Sequence, residues 1–300
     1  MSRFEVAVEA ARKRVDRPAV PVHRVSTSQG TVEYARYGTG PAVLVVHGSG
    51  GGWDQGMDWA QRRLPPARDV LVVSRFGYLG SALPAGGTTA DQADAFAAVL
   101  DDAGVDRADV VAFSAGSVTA VAFAVRHRDR VRSLLLESPL LPTRRARVLP
   151  PVVAVKALLR SERLLWSLTH SPVLVGLAAG TRWRDLPEPE RQELTAINDT
   201  MFPLAPRRPG TLFDRAVAAP EMLQDRLPVE GITCPTLVVN ARAAVLATHD
   251  EARAFVDRLP LGRLVDVETG GHVLIGNVEH LRSIVADFLD DPAAGPRDSA

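Results

Sequence analysis

The chain has 300 residues, 46% of them hydrophobic, which is enough for one α/β domain with a sizeable core and an insertion. Its 35 basic and 35 acidic residues cancel, so neither nucleic acid nor an anionic membrane is an expected partner. The one cysteine, Cys234, excludes an intrachain disulfide and a cysteine-rich metal site. The N-terminus has no signal-peptide core and no apolar run approaches the ~20 residues that span a bilayer, so we expect a soluble, cytoplasmic protein.

The first predicted elements precede any regular alternation. Residues 4–15 are predicted to form a helix that ends near Pro18, and VHRVST and TVEYARYG, separated by SQG, are predicted to form a hairpin. Continuous apolar runs of strand length follow, and such runs are typical of strands buried on both faces of a sheet. These runs are PAVLVVHG, RDVLVVSRFG, ADVVAFS, VRSLLLES, CPTLVVN and GRLVDVE.

Helical patterns separate these strands. TTADQADAFAAVLDDAG begins with a predicted capping box of Thr89 and Gln92, and Gly104 is typical of a helix end. Alternating strands and helices predict an α/β fold with a mostly parallel sheet that helices cover on both faces. The last helical pattern, NVEHLRSIVADFLDD, carries four apolar residues on one face: Leu281, Ile284, Val285 and Phe288.

The alternation is interrupted over residues 140–231, where prolines, arginines and helix-like apolar spacing replace the strand patterns. We interpret this interval as a helical cap that is inserted into an α/β core formed by residues 1–139 and 232–292. Such an insertion would lie over the ends of the strands and could form a lid. Residues 293–300 are predicted to be a disordered tail.

The strongest chemical signal is DVVAFSAGSVTAVAFA, in which an apolar strand runs into Ser114 and a helix of small residues follows. Ala112 and Gly116 flank the serine at positions where a sharp strand-to-helix turn tolerates little side-chain volume. This is the nucleophile-elbow pattern G-x-S-x-G, with Ala112 in place of the first glycine. Such a turn exposes the hydroxyl and directs the N–H groups of the helix at developing negative charge. The alternative is a serine that only caps a buried helix.

Two other loops follow predicted strands. The stretch GSGGG comes after His47, and its backbone allows a ligand to approach N–H groups closely. We expect His47 to order this loop rather than to react. A phosphate-binding loop is disfavoured, because neither G-x-G-x-x-G before a helix nor G-K-[ST] is present. The second loop, VETGGHVLIG, places His272 after two glycines at the end of the last predicted strand, so that its imidazole would project from the loop.

In the order glycine-rich loop, serine, histidine, these three segments resemble the α/β-hydrolase family over about residues 25–290. HGSGGGWDQG and SRFGYL are similar to stretches of a subgroup of small serine hydrolases. The resemblance implies Ser114 as the nucleophile and His272 as its general base. It also implies the backbone N–H groups of Ser49 and Ala115 as the oxyanion hole, with the insertion as the cap.

Members of that family usually carry an aspartate that orients the histidine after the strand corresponding to CPTLVVN, and here Ala243 or Ala244 occupies its position. Glu137, at the end of VRSLLLES, is one possible replacement, because some members supply the acid from that strand end. The second possibility is one of three later acids: Asp250, Asp266 or Glu268. The third is that no acid exists, which leaves a Ser-His dyad or a scaffold used for a reaction other than hydrolysis.

Several residues near the predicted pocket mouth are candidate substrate contacts. Asp54 and Gln55 follow the glycine-rich loop, and Arg75, Phe76 and Tyr78 follow another strand on the same rim. The insertion also contains apolar residues that suit either a lid or ordinary helix packing: Leu165, Trp166 and Trp183.

Together these features predict a serine hydrolase that cleaves an ester, lactone or thioester of a small to medium hydrophobic substrate through an acyl-enzyme. A small molecule is the expected partner, and no cofactor or metal is expected. The alternative is a non-hydrolytic enzyme on this scaffold, such as a cyclase, lyase or isomerase of a biosynthetic pathway, because the missing aspartate weakens the nucleophile. A ligand-binding protein without turnover is a third hypothesis.

Overall fold

The computed structural model describes residues 1–143, 150–242, 244 and 246–294. Within these residues the strands are β1 (Val22–Thr27), β2 (Gly30–Tyr37), β3 (Ala42–Val46), β4 (Asp69–Val73), β5 (Ala108–Phe113), β6 (Val131–Glu137), β7 (Thr236–Ala241) and β8 (Gly262–Val267). The α-helices are α1 (Arg3–Asp16), α2 (Trp53–Arg63), α3 (Thr89–Asp102), α4 (Gly116–Arg126), α5 (Val152–Leu158), α6 (Glu162–Thr169), α7 (Pro172–Ala178), α8 (Glu188–Asp199), α9 (Arg208–Phe213), α10 (Ala219–Leu223), α11 (His249–Val256) and α12 (Val278–Asp290).

The strands form one sheet with the order β1-β2-β4-β3-β5-β6-β7-β8. β2 pairs antiparallel with β1 and β4, and every neighbouring pair from β4 to β8 is parallel. Parallel neighbours need long crossover connections, which the helices supply. The carboxyl ends of the parallel strands therefore lie at one edge, where the loops after β3, β5 and β8 come together. The predicted hairpin and the predicted mostly parallel sheet flanked by helices are both confirmed.

The two faces of the sheet bury alternate residues of the same strand. In β3, Leu44 and Val46 belong to one apolar cluster, whereas Val43 and Val45 belong to the other. All four side chains are fully buried. Helices α3 and α4 contribute to the first cluster, and α2 and α12 contribute to the second. Burial on both faces explains why the strand is a continuous apolar run instead of an alternating one.

The capping box of α3 lies one residue earlier than the sequence pattern predicts. Thr88, rather than Thr89, is the N-cap residue, and it forms the reciprocal pair with Asp91 rather than with Gln92. Gln92 is fully buried and accepts a hydrogen bond from the Thr119 hydroxyl of α4 at 2.5 Å. Its side chain therefore faces the core and cannot reach back to the helix start.

Between β6 and β7 the described chain is helical, as the sequence predicts for this interval, and we call residues 152–223 the helical insertion. The ring of Trp166 in α6 lies edge-on to Phe4 of α1 at 5.9 Å and stacks on His170 at 4.3 Å. Leu165 packs in the same cluster, and Trp183 packs in a separate one. These three aromatic and apolar residues of the insertion therefore make helix-packing contacts.

Two further predictions concern the C-terminal tail and membrane-spanning segments. Residues 295–300, which form most of the predicted disordered tail, lie outside the described residues. Among the residues that are described, no helix is long and apolar enough to cross a membrane.

Candidate active site

Ser114 lies on the sharp turn between β5 and α4, as the elbow pattern predicts. Its φ is 50°, in the left-handed region that costs a residue with a side chain roughly 1–3 kcal/mol. At Gly116, the first residue of α4, a Cβ would lie 2.5 Å from the carbonyl oxygen of His47. The missing side chain lets α4 pack against the end of β3, which brings the serine next to the loop that follows β3.

The Oγ of Ser114 lies 2.9 Å from Nε2 of His272, so the predicted nucleophile and the predicted base are within hydrogen-bond distance. His272 is in a 3₁₀ turn (Gly271–Val273) that follows β8. The glycines before it, Gly270 and Gly271, have φ values of 96° and 58°. A side chain at Gly271 would lie 2.4 Å from a carbonyl oxygen at the end of α7. The histidine loop is therefore in direct contact with the helical insertion.

The imidazole of His272 is surrounded by protein, and part of its surface is open to a cavity above the serine. This loss of solvation lowers the pKa of His272 to about 4. The imidazole is therefore neutral at pH 7, which is the form that can accept the serine proton. Its second nitrogen, Nδ1, is buried and has no hydrogen-bond partner among the described residues.

Glu137 was the main candidate for a carboxylate that orients His272. It is 5% exposed at the end of β6, and its Oε2 lies 3.3 Å from Nε of Arg63 on α2. Arg63 is itself almost fully buried, and a buried cation needs a counter-charge nearby. Glu137 is therefore the counter-charge of Arg63, and the predicted pairing of Glu137 with His272 does not form in this structure.

The three later acids also have other surroundings. Asp266 lies 3.0 Å from Nδ1 of His249. Glu268 pairs with Arg242 at 3.4 Å. Asp250 is exposed in the first turn of α11, where a negative charge favours the helix dipole. Among the described residues, none of these three acids is hydrogen-bonded to His272.

The loop where the family usually carries its acid follows β7. Ala244 in this loop is buried in the apolar cluster that also contains Leu274, and its methyl group cannot accept a hydrogen bond. Ala243 lies outside the described residues. In the part of the chain that is described, Ser114 and His272 therefore form a dyad without an orienting carboxylate.

The glycine-rich loop (residues 47–52) follows β3, and its Ser49 lines the same cavity as Ser114. Within the described residues, the N–H groups of Ser49 and Ala115 make no backbone hydrogen bond. Both donors are therefore free to bind an acceptor atom brought in by a substrate. Ala115 is also the N-cap of α4, so the positive end of the helix dipole is at this point.

His47 orders the glycine-rich loop, as predicted. Its Nε2 accepts a hydrogen bond from the backbone N–H of Arg75 at 3.0 Å, so the ring hydrogen is on Nδ1. Nδ1 donates that hydrogen to the carbonyl oxygen of Gly48 at 2.7 Å. Burial, together with the charge of Arg75, lowers the pKa of His47 well below its ordinary value, so the ring remains neutral.

A cavity of about 200 Å³ lies over the serine, smaller than the ~300–1,000 Å³ of pockets for drug-sized ligands. Trp59 and Phe113 form an apolar wall, with their rings stacked at 5.9 Å. Gln55 and Asn198 add amide groups to the lining. Further residues of the wall come from α2, from α8 and the chain after it, and from the histidine loop: Asp58, Arg62, Ile197, Met201 and Val273.

Of the five candidate substrate contacts, the structure places Gln55 at the cavity and the other four elsewhere. Position after a strand brings a backbone to the rim, but it does not set the direction in which the side chain points. The other four are buried and contact the insertion: Asp54 through Arg207, Phe76 through Phe213, and both Arg75 and Tyr78 through Asp214. These four side chains therefore do not line this cavity.

Four residues of α2 that no sequence motif singles out also line the cavity: Asp58, Trp59, Arg62 and Arg63. Trp59 and Arg63 are four residues apart and therefore lie on one helix face. Their helical spacing after the glycine-rich loop is the signal that could have identified them. For Ile197 and Met201 no such signal exists, because the sequence does not show which part of the insertion lies over the serine.

The sequence profile of the alpha/beta hydrolase family matches residues 43–282. The chain therefore belongs to the alpha/beta hydrolase family, which confirms the predicted family and makes the protein a hydrolase-fold enzyme.

Among its relatives, the 2-hydroxymuconate semialdehyde hydrolase of Pseudomonas putida is 27% identical over 270 residues, 86% of this chain and 90% of that protein. The homoserine O-succinyltransferase of Xanthomonas campestris is 41% identical over 90 residues only, 29% of this chain and 24% of that protein. An alpha/beta hydrolase fold protein from Nakamurella multipartita has a similar structure, with a TM-score of 0.72 and 26% identity over 92% of this chain and 100% of that one.

Glu137→Gln is expected to lower stability more than turnover. The substitution leaves the buried Arg63 cation without its counter-charge, and breaking a buried pair in this way costs about 3–5 kcal/mol of unfolding free energy. Turnover of the folded fraction is expected to change little, because the carboxylate does not contact His272. Urea unfolding and ester kinetics on the same preparation check both parts, with the double apolar variant Arg63→Met/Glu137→Met as the control that removes both charges. A large loss of kcat at wild-type stability would contradict this expectation.

Proposed function

We propose that this protein is a serine hydrolase that cleaves an ester, lactone or thioester through an acyl-enzyme on Ser114. The observation that carries the proposal is the 2.9 Å contact between Ser114 Oγ and His272 Nε2, on a strand-to-helix turn beside free backbone N–H groups. The name of the Pseudomonas putida relative, a hydrolase aligned over most of both chains, supports hydrolysis as the reaction.

In the proposed reaction, His272 takes the hydroxyl proton of Ser114 while Oγ attacks the acyl carbonyl. The N–H groups of Ser49 and Ala115 bind the oxyanion of the tetrahedral intermediate. The imidazolium then protonates the leaving alcohol or thiol, and the acyl-enzyme remains. Water, deprotonated by the same histidine, attacks the acyl-enzyme, releases the acid and restores the serine.

The missing carboxylate makes this proposed hydrolase a slow one. In a complete triad the acid holds the imidazole in the correct tautomer and stabilises the imidazolium that forms during attack. His272 has no such partner among the described residues, and burial lowers its pKa to about 4. A weaker base accepts the serine proton less readily, so we expect a kcat well below that of a complete triad.

The size and lining of the cavity support a small acyl group. Its volume of about 200 Å³ and the stacked rings of Trp59 and Phe113 suit a short, mainly apolar chain. In this proposal the helical insertion is the cap, because Ile197 and Met201 close the cavity from that side.

A non-hydrolytic reaction, such as cyclisation, elimination or isomerisation, is the second candidate. The unpartnered Nδ1 of His272 favours it, because a histidine without an orienting acid can still transfer protons to a bound substrate while it activates a serine poorly. In that case the free N–H groups would stabilise an enolate-type oxygen, and no covalent adduct would form on Ser114.

Intact mass after exposure to a fluorophosphonate tests the proposal, with Ser114→Ala treated in parallel. The expected result is one adduct on the wild-type chain and none on the variant, followed by turnover of p-nitrophenyl acetate or butyrate. Absence of an adduct on a folded wild-type chain would reject the acyl-enzyme route. An adduct that persists in Ser114→Ala would show that another group reacts.

The kcat/KM for ester cleavage is expected to stay high at acidic pH values where an ordinary histidine base would already be protonated. The neutral form of His272 is the active one, and its pKa is about 4, so kcat/KM falls only as the pH drops through about 4. A histidine with an ordinary pKa near 6.5 would already have lost about half of the rate at pH 6.5. The measurement is kcat/KM for a neutral ester from pH 4 to 8, and a half-maximal rate near pH 6.5 would contradict the expectation.

A control for folding belongs with this profile. The unfolded chain binds a proton at this histidine with an ordinary pKa near 6.5, whereas the folded chain binds it only near 4. The unfolded state therefore holds more protons between these values, and stability decreases as the pH falls through this window. Circular dichroism at each pH separates this loss of structure from protonation of the active base.

A further inference from the structure

A buried ion pair joins the core to the helical insertion beside the active site, and the serine-histidine chemistry does not use it. Arg75 follows β4 and is fully buried, and Asp214 is 4% exposed in a π-helical turn (Asp214–Ala218) that continues α9. Arg75 Nη2 lies 2.8 Å from Asp214 Oδ2, and Nη1 bonds to the other carboxylate oxygen. The pair is bidentate, so it fixes the orientation of the guanidinium as well as its position.

The remaining donors of Arg75 reach the glycine-rich loop (47–52). Nε donates to the carbonyl oxygen of His47 at 2.9 Å, and Nη2 donates to the carbonyl oxygen of Gly48 at 2.9 Å. A single guanidinium held by Asp214 therefore anchors two consecutive carbonyl groups at the start of this loop.

Tyr78 provides a second connection from the same carboxylate to the loop. Its hydroxyl donates to Asp214 Oδ2 at 2.5 Å and accepts the backbone N–H of Gly50 at 3.2 Å. Burial and the neighbouring Asp214 raise the pKa of the phenol, so it stays protonated and continues to donate. Asp214 thus holds the loop on both sides of Ser49.

Planarity of the peptide bond transmits this restraint to the oxyanion donor. The carbonyl oxygen of Gly48 is held by Arg75 and by Nδ1 of His47. In a trans peptide the C=O and the following N–H point in opposite directions, so fixing the Gly48 oxygen also fixes the direction of the Ser49 N–H. Ser49 lines the cavity above Ser114.

The end of the same loop has a matching contact with the insertion. Arg207 is fully buried and donates to the carbonyl oxygen of Gly51 at 2.6 Å. It also forms a bidentate pair with Asp54 at 2.9 and 2.8 Å. Two charged side chains of the insertion therefore hold the loop: Asp214 holds its start through Arg75, and Arg207 bonds directly to its end.

We infer that Asp214 is a positioning residue for the oxyanion hole: through Arg75 and Tyr78 it sets the glycine-rich loop so that the Ser49 N–H faces the reacting carbonyl. This inference rests on the proposed function, since Ser49 is a donor to an oxyanion only if Ser114 attacks an acyl group. It makes the insertion part of the catalytic geometry as well as the wall of the cavity.

The test uses the full chain with Asp214→Asn and Tyr78→Phe, which keep side-chain shape and remove the charge or the hydroxyl. The expected kcat for an ester falls about 10–100-fold with KM within about twofold, part of the 10²–10³ that loss of an oxyanion donor costs. Affinity for a trifluoromethyl ketone, which adds to Ser114 and forms an oxyanion, is expected to fall by the same factor. Amide hydrogen exchange of the peptide spanning residues 47–52 is expected to become faster.

Asp109→Asn is the matched control, because Asp109 is a fully buried carboxylate paired with Arg132 at the start of β5, the opposite edge of the sheet. It is expected to lower stability without changing kcat or loop exchange. The inference would be overturned by wild-type kcat in both test variants or by unchanged amide exchange of the loop in them. A fall in kcat together with faster loop exchange in Asp109→Asn would also overturn it.

If the wild-type chain neither turns over esters nor takes up the fluorophosphonate, the proposed function fails, and the exchange measurement still decides whether Asp214 positions the loop. Tyr78→Phe keeps the charge pair, so it decides the outcome if Asp214→Asn does not fold.

Discussion

Ser114→Ala is expected to lower kcat/KM for an activated ester by about 10²-fold or more, with KM nearly unchanged. The magnitude follows from a complete triad, where loss of the serine costs about 2 × 10⁶ in kcat and loss of the acid alone costs about 3 × 10⁴. A dyad without its acid therefore has only about 10²-fold of covalent catalysis left to lose. The remaining rate would come from the free N–H donors and from binding in the cavity.

The double variant Ser114→Ala/His272→Ala provides the control for this expectation. Residues that act as one unit are not additive, so the double variant is expected to be no slower than either single variant. Steady-state kinetics on p-nitrophenyl acetate measures all three. Losses that multiply in the double variant would show that the two residues act independently and would contradict the shared proton transfer.

Ala244→Asp is expected to raise kcat by about 10–100-fold, a part of the roughly 10⁴ that an orienting acid contributes in a complete triad. Ala244 is buried next to the histidine loop, in the same apolar cluster as Leu274, and Nδ1 of His272 lacks a partner among the described residues. A carboxylate at this position would accept the Nδ1 hydrogen and stabilise the imidazolium. It would also raise the pKa of His272 from about 4 towards its ordinary value, so the acid limb of the pH profile should move upward.

Ala244→Asn is the matched control for Ala244→Asp, since it has the same size without the charge, and it should leave the acid limb in place. Ala243→Asp tests the other position to which the family alignment points. The decisive comparison is Ser114→Ala measured in the Ala244→Asp background, where the substitution should lower kcat by a much larger factor than it does in the wild-type chain. A faster enzyme whose acid limb does not move would contradict the role assigned to the new carboxylate.

Both the activity of the dyad and its increase on adding an acid would depend on how the backbone places Ser114 next to His272. The strand-to-helix turn at Ser114 and the glycine turn before His272 bring Ser114 Oγ and His272 Nε2 to 2.9 Å, and no side chain among the described residues bonds to Nδ1 of the imidazole. Backbone geometry therefore positions the pair, and an acid would adjust only the tautomer and the charge of the imidazole. This is why a single substitution after β7 is expected to change the rate so strongly.

The fold was largely predictable because its signals are local. The strands β3 to β7 are buried on both faces, so they appear in the sequence as continuous apolar runs, whereas β8 at the edge of the sheet is only partly buried. The six predicted runs became β3 to β8. The elbow at Ser114 was predictable for a similar reason, since a turn with φ of 50° tolerates only small neighbours. The one error within a helix, the choice of Thr89 over Thr88, arose because Gln92 is buried against α4.

The sequence alone thus determined the sheet, the nucleophile elbow, the histidine loop and the missing aspartate, because each depends on neighbouring residues or on chain order. Only the tertiary structure decided which partner each buried charge has. Glu137 pairs with Arg63, 74 residues earlier, and Asp214 pairs with Arg75, 139 residues earlier. A buried charge takes whichever counter-charge packing brings within reach, and that choice depends on how the helical insertion sits on the sheet.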